Sequence, residues 1–142
     1  MSDYRIEAYK KAVQRITAKW GAEIAKAEKE LGAVDEELAE LEALEEPTED
    51  DEKKIKALKE KQAALRKRIV NCAMNLKVNL MVITPQPGAP KKELLELPKW
   101  LKRIIEEEGI PLGRGVSIAP DVDVDIKSMT LEKFGITITV KW

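Results

Sequence analysis

Three aspartates near the C-terminal end alternate with valines, and this spacing could do chemistry. On an extended strand Asp121, Asp123 and Asp125 would share one face, with neighbours about 7 Å apart, and could bind Ca²⁺ or Mg²⁺. The glycine and the closing glutamate of a calcium-binding loop are missing, however. A row of charge is also how an edge strand avoids aggregation. We therefore expect no metal here and keep the three aspartates as the alternative cation site.

A denser group of carboxylates surrounds Pro47 in the stretch LEALEEPTEDDEK. We call residues 42–52 the acidic turn; its acids are Glu42, Glu45, Glu46, Glu49, Asp50, Asp51 and Glu52. Acids at the beginning of a helix are stabilised by the helix dipole, which accounts for those after Pro47. The acids before Pro47 lie at the C-terminal end of the first helix, where negative charge is unfavourable. We interpret this excess as a candidate surface for a basic protein partner.

The residue types needed for most enzyme mechanisms are scarce. The sequence has no histidine, a single cysteine, Cys72, and serine only at positions 2, 117 and 128. This removes the commonest general base and the serine–histidine and cysteine–histidine nucleophiles. We therefore predict a protein that is not an enzyme, with no cofactor and no small-molecule substrate.

Charge and hydropathy narrow the partners and the compartment. The 142 residues carry 25 Lys and Arg against 26 Asp and Glu, so net charge favours neither nucleic acid nor an anionic membrane. No apolar run is long enough to cross a bilayer, and no signal segment begins the chain. With one cysteine, these features indicate a cytoplasmic protein, or one in a particle assembled in the cytoplasm. The abundance of lysine and glutamate suits a thermostable protein.

The elements that must position these residues begin with two helices. Apolar residues recur every three or four positions from Ile6 to Leu41, and again from Ile55 to Leu76, which is typical of helices with one apolar seam. Pro47 disfavours helix before it and Thr48 is a good N-cap, so we expect the first helix to end near Glu45 and the second to begin near Glu49. The short turn, near 46–49, forces the helices antiparallel. We predict a coiled-coil hairpin over residues 1–76.

The two seams agree on one fold-back point. The facing pairs are Leu41–Ile55, Leu38–Leu58, Val34–Gln62, Leu31–Leu65, Ala27–Ile69, Ile24–Cys72 and Trp20–Leu76. Flanking positions then give four pairs of opposite charge: Glu28–Arg66, Glu30–Arg68, Asp35–Lys59 and Glu37–Lys61. We interpret the basic run from Lys53 to Arg68 as one side of this charge pairing. The alternative is nucleic-acid binding through the second helix.

Residues 4–20 of the first helix extend beyond the predicted end of the second. Their apolar stripe must be buried against the C-terminal segment or against another copy of the protein. The candidate interface residues are Ile6, Tyr9, Val13, Ile16 and Trp20.

The C-terminal segment, residues 77–142, predicts a small head domain. Residues 77–84 (KVNLMVIT) and three later segments, 116–119, 122–128 and 136–142, have the composition or the alternation of strands. Residues 91–108 have a helical pattern. The predicted fold is α+β: a long antiparallel helical hairpin followed by a β-α-β-β-β head.

We predict a non-catalytic structural or assembly protein, in which the hairpin is a spacer or docking arm and the head forms homo-oligomer contacts. Components of large assemblies such as virions are often built in this way. A projecting hairpin with an acidic tip and a globular C-terminal head also resembles the architecture of Gre-type transcript-cleavage factors. That resemblance implies the alternative function of a transcription regulator whose acidic turn enters a basic channel of RNA polymerase.

Overall fold

The computed structural model describes residues 4–84, 101, 116–125 and 130–141, with the side chains of residues 7–84, 101, 116–119 and 135–141. Two long helices, α1 (Tyr4–Glu42) and α2 (Glu49–Ile83), pack together as a hairpin. Two strands, β1 (Val116–Asp125) and β2 (Thr130–Val140), form an antiparallel sheet. Over these residues the protein is mostly helical, with a small β component.

The helices are held together by the predicted apolar seam. On both helices the residues that recur every three or four positions are buried: Ile24, Ala27, Leu31, Val34, Leu38, Leu65, Ile69, Cys72 and Leu76. Ile55 and Leu58 are partly buried against this core. Each fully buried Ile or Leu side chain contributes about 1.5–3 kcal/mol to folding. The seam and the hairpin that it predicts are therefore confirmed.

The turn between the helices is built as the sequence indicates. Thr48 is the N-cap of α2 and forms a capping box with Asp51: Thr48 Oγ1 accepts from Asp51 N at 3.1 Å, and Asp51 Oδ2 accepts from Thr48 N at 2.9 Å. α2 begins at Glu49, as predicted, whereas α1 ends at Glu42, three residues earlier than expected. The capping box fixes where the chain re-enters a helix.

The strand predicted for residues 77–84 is wrong, because this segment is the end of α2. Val78 and Val82 favour a strand locally, but Leu76 and Leu80 are both fully buried and continue the helical seam. Packing against α1 therefore overrides the weak local preference of β-branched residues. Thr84, before Pro85, has φ −101° and ψ 135°, the extended conformation that a following proline imposes.

The longer α2 changes what covers the beginning of α1. The side chains of Tyr9 and Val13 are buried, and Tyr9 contacts Thr84 at the end of α2. Ile16 and Trp20 are partly buried against the same core. The part of α1 that precedes Trp20 therefore packs against the end of α2, where no second helix was expected.

The sheet differs from the predicted head in its number of strands. The predicted strand 116–119 and the described part of the predicted strand 122–128 are one continuous strand, β1, which runs through Pro120 to Asp125. β2 begins at Thr130 rather than near residue 136. In a two-stranded sheet each strand has a free edge, where a proline costs no ladder hydrogen bond. The predicted helix 91–108 lies outside the described residues except for Leu101, which is helical and fully buried.

One face of the sheet packs on the helices. Val116 pairs with Val140, and Ile118 pairs with Ile138. Together with Ile136 these residues join the core formed by the hairpin, and β2 packs against α2. Directly opposite residues on an antiparallel pair share one face of the sheet, so these apolar pairs form a surface that the helices can cover.

Candidate functional site

The acidic turn is exposed but does not gather its carboxylates into one site. Each of its acids is solvent-exposed except Asp51, which is half-buried. Among the residues described, no three aspartate, glutamate or cysteine side chains lie close enough together to hold a metal ion. What the turn presents is a spread of negative charge at the end of the hairpin.

Asp51 has a structural role within this turn. The hydrogen bond from the Thr48 backbone N–H, and after it the one with the Thr48 side chain, holds the pKa of Asp51 below its usual value. An ionised carboxylate is the better acceptor for the N-cap amide, so the capping box and the charge support each other. Asp51 therefore acts on α2 itself, which distinguishes it from the other acids of the turn.

Glu42, the last residue of α1, is paired across the hairpin. Lys59 Nζ lies 3.7 Å from Glu42 Oε1, with both side chains more than half exposed. The last turn of α1 has no basic residue of its own, so Lys59 supplies positive charge near the C-terminal end of the helix dipole. Such an exposed pair contributes little to stability, at most about 1 kcal/mol. The ion pair gives Glu42 a role within the hairpin. Glu45 and Glu46, the other acids before Pro47, lie after the end of α1.

The basic side of α2 meets acids of α1, and two of its bases, Lys59 and Arg68, do so with partners other than those predicted. Arg68 Nη2 lies 3.0 Å from Glu23 Oε2, and Lys59 pairs with Glu42. Asp35 accepts a hydrogen bond of 2.7 Å from Gln62 Nε2. The short Asp35 side chain reaches the amide in the seam layer, whereas long arginine and lysine side chains reach acids further along α1. Both basic side chains are largely exposed, and nucleic-acid binding through α2 stays a prediction.

The predicted interface at the beginning of α1 lies largely in the core. Tyr9 and Thr84 are 5 % and 3 % exposed, and their hydroxyl oxygens are 2.7 Å apart. Thr84 Oγ1 donates to the carbonyl oxygen of Leu80 at 2.6 Å, so the Tyr9 hydroxyl is the donor to Thr84. Burial raises the pKa of Tyr9 to about 12. Tyr9 and Val13 are already buried within one chain, so no second copy is needed to cover them. The side chain of Ile6 lies outside the described residues.

The three aspartates of the alternative cation site lie on β1. In the register of the sheet, Asp121 is opposite Gly135, Asp123 opposite Lys133 and Asp125 opposite Thr130. The register shifts by one residue after Asp123. The side chains of the aspartates lie outside the described residues, so the cation site stays a prediction.

The most conspicuous surface of the hairpin is one that the sequence reasoning missed. Four large apolar side chains of α2, spaced by four residues, face solvent; we call them the outer stripe. They are Val70, Met74, Val78 and Val82, which are 40, 49, 54 and 78 % exposed. The spacing is visible in the sequence, but it was hidden when residues 77–84 were assigned to a strand.

The outer stripe lies in a part of α2 with almost no charge. Lys77 is the single charged residue between Ile69 and Ile83, whereas most residues from Glu49 to Arg68 are charged. Beside the stripe runs a row of amides, Asn71, Asn75 and Asn79, which we call the amide row. Apolar surface with little charge is typical of the centre of a protein–protein interface.

Neither a protein-family model, nor a curated protein, nor a solved structure gives a significant match to the chain. Within the helices described here, no stretch is both long and apolar enough to cross a membrane.

Proposed function

We propose that this protein is a non-catalytic assembly component whose helical hairpin is a rigid docking arm for another protein chain. The observation that carries this proposal is the outer stripe of α2. A helix that projects apolar residues every fourth position is the form in which one helix docks into a groove or against another helix. Folded monomers rarely leave contiguous apolar surface uncovered, so such a surface indicates a partner.

The rest of the hairpin supports the role of a stiff arm. α2 is capped at its first turn by Thr48, its inner face is buried against α1, and Tyr9 attaches the beginning of α1 to Thr84. A docking surface on such a helix is held in its binding conformation before the partner arrives, which lowers the entropy lost on binding.

A photocrosslinking experiment tests whether the outer stripe docks a protein. A photoreactive amino acid replaces Met74 in the full chain, and a matched variant carries it at Ala64, which is exposed on α2 but outside the stripe. We expect illumination in the expressing cell to attach a protein at position 74 and none at position 64. Equal labelling at both positions, or none at either, would refute the docking arm.

The acidic turn supports a second candidate function, the entry of the hairpin tip into a basic channel. The supporting observation is the exposure of Glu45, Glu46, Glu49 and Asp50 at the end of the hairpin. Changing these four acids to their amides should abolish binding to the basic partner while helicity is retained. Asp51 must be left unchanged, because its loss would remove the N-cap interaction of α2 as well. Binding that survives the fourfold variant would exclude this function.

A further inference from the structure

We infer that the partner covering the outer stripe is a second copy of this chain, whose α2 crosses the first in the antiparallel sense. This inference rests on the proposed function and adds the identity of the occupant. The two-fold axis passes α2 at the level of Leu76, so that Met74 of each chain meets Val78 of the other.

The spacing of the stripe suits a two-fold axis. Its four residues are placed symmetrically about position 76, so an antiparallel copy brings Val70 towards Val82 and Met74 towards Val78. A row of residues four apart is also one of the natural ridges of a helix, and two such ridges interdigitate at a crossing angle of about −50°. The contact is therefore centred on Met74 and Val78, and the helix ends diverge from it.

The electrostatics of this surface favour its own copy over a charged partner. A surface that meets itself across a two-fold axis brings each charge towards a like charge, which is unfavourable. The outer stripe avoids this, since Lys77, the one charged residue of the segment, is half-buried. The charge drops where the apolar residues become exposed, so two copies can meet here without bringing like charges together.

The amide row supplies polar contacts that a second copy can match. An amide side chain is both donor and acceptor, so asparagine can pair with asparagine, whereas a carboxylate or an ammonium group cannot pair with its own kind. The Asn79 side chain donates to the Asn75 backbone oxygen at 2.8 Å and keeps its own carbonyl oxygen as an acceptor. The row lies beside the stripe and would form the rim of the contact.

The size of the surface sets the expected affinity. From Val70 to Val82 the helix rises about 18 Å, at 1.5 Å per residue, and helices that cross touch over a limited length. Such a contact lies at the low end of specific interfaces, which is the range of weak and transient complexes. We therefore expect a dimer that dissociates at micromolar concentrations.

Sedimentation equilibrium of the purified full chain is the first test. The wild type should change from monomer to dimer as its concentration rises, and Val78→Lys should remain monomeric with unchanged far-UV circular dichroism. Ala64→Lys, which adds the same charge to the same helix outside the stripe, should dimerise like the wild type. A wild type that stays monomeric up to about 1 mM, or a Val78→Lys chain that dimerises normally, would overturn the inference.

The antiparallel arrangement has its own test. Because position 74 of one chain meets position 78 of the other, mixing Met74→Glu with Val78→Lys should restore a dimer that neither variant forms alone. Mixing ¹⁵N-labelled Met74→Cys with unlabelled Val78→Cys should give, on oxidation, mainly the mixed disulfide dimer, identified by its mass. Disulfides mainly between identical chains would refute this arrangement. Photocrosslinking at position 74 to a different protein, with a monomeric purified chain, would overturn the second copy while leaving the docking arm intact.

Discussion

The hydrogen bond between Tyr9 and Thr84 connects the beginning of α1 to the end of α2, and removing it should change stability with a sign that depends on pH. Tyr9→Phe deletes the hydroxyl group that donates to Thr84 Oγ1 at 2.7 Å. A buried neutral hydrogen bond contributes about 1 kcal/mol, so the variant should be less stable than the wild type by about that amount near neutral pH.

At alkaline pH the order should reverse. Burial raises the pKa of Tyr9 from 10.0 in the unfolded chain to about 12 in the folded one. The folded chain therefore holds the phenolic proton more tightly, so this contribution is complete below pH 10 and is lost as the pH rises through 12. A difference of two pKa units is equivalent to about 3 kcal/mol. Phenylalanine has no proton to lose, and most of this contribution is lost by about pH 12, so there Tyr9→Phe should be the more stable chain by about 1 kcal/mol.

Urea unfolding followed by far-UV circular dichroism, at intervals from about pH 8 to about pH 12, measures this difference. The difference between the unfolding free energies of the two proteins at each pH cancels the titration of the lysines, which both proteins share. As a control, Thr84→Val keeps Tyr9 but removes its hydrogen-bond partner, and because burial is the main cause of the raised Tyr9 pKa, the alkaline loss of stability should persist. A constant difference between wild type and Tyr9→Phe across the whole range would show that burial does not raise the pKa of Tyr9.

Two substitutions and one labelling experiment test the hairpin further. Gly32 is exposed within α1 and an added Cβ would touch no atom within 4 Å, so Gly32→Ala should stabilise the protein by about 1 kcal/mol in urea unfolding. Thr48→Ala removes the N-cap side chain of α2 and should cost about 1 kcal/mol. It should raise the pKa of Asp51 only part of the way towards its usual value, measured by NMR titration, because the hydrogen bond from the backbone N–H of residue 48 remains. Cys72 is buried and burial raises the pKa of its thiol, so a thiol reagent at about pH 8 should label it only when urea unfolds the chain.

Each of these three predictions has an outcome that would contradict it. Destabilisation by Gly32→Ala would mean that another surface approaches α1 at that position. An unchanged Asp51 pKa in Thr48→Ala would show that the Thr48 side chain does not contribute to the lowering of that pKa. Rapid labelling of Cys72 in native buffer would show that the seam opens easily at this layer.

The hairpin was predictable because its determinants are local and repeated. The three- and four-residue spacing recurs over many turns, and each turn supports the same arrangement. Thr48 and Asp51 fix the beginning of α2 through neighbours three residues apart, and the structure shows their capping box. The position of the acidic turn was predictable for the same reason, whereas the pairing of Glu42 with Lys59 was not.

The end of α2 was not predictable from local pattern. Residues 77–84 are mostly apolar, as a buried strand would be, yet they continue α2 to Ile83, and Leu76 and Leu80 are fully buried. The ion pairs also depend on how far long side chains reach across the hairpin, so Arg68 meets Glu23 rather than Glu30. The outer stripe became visible only after the helix was known to continue beyond Leu76.

The sequence by itself determined that this chain forms an antiparallel hairpin, since periodicity, a proline and a capping residue act on neighbours along the chain. The tertiary structure decided how far α2 extends and therefore which side chains face solvent. Burial depends on contacts between residues as far apart as Tyr9 and Thr84, and no local pattern encodes them. The acidic turn could be identified from the sequence alone because charged residues are recognised by their type. The outer stripe, which carries the proposed function, exists only because Val78 and Val82 lie on a helix rather than on a strand.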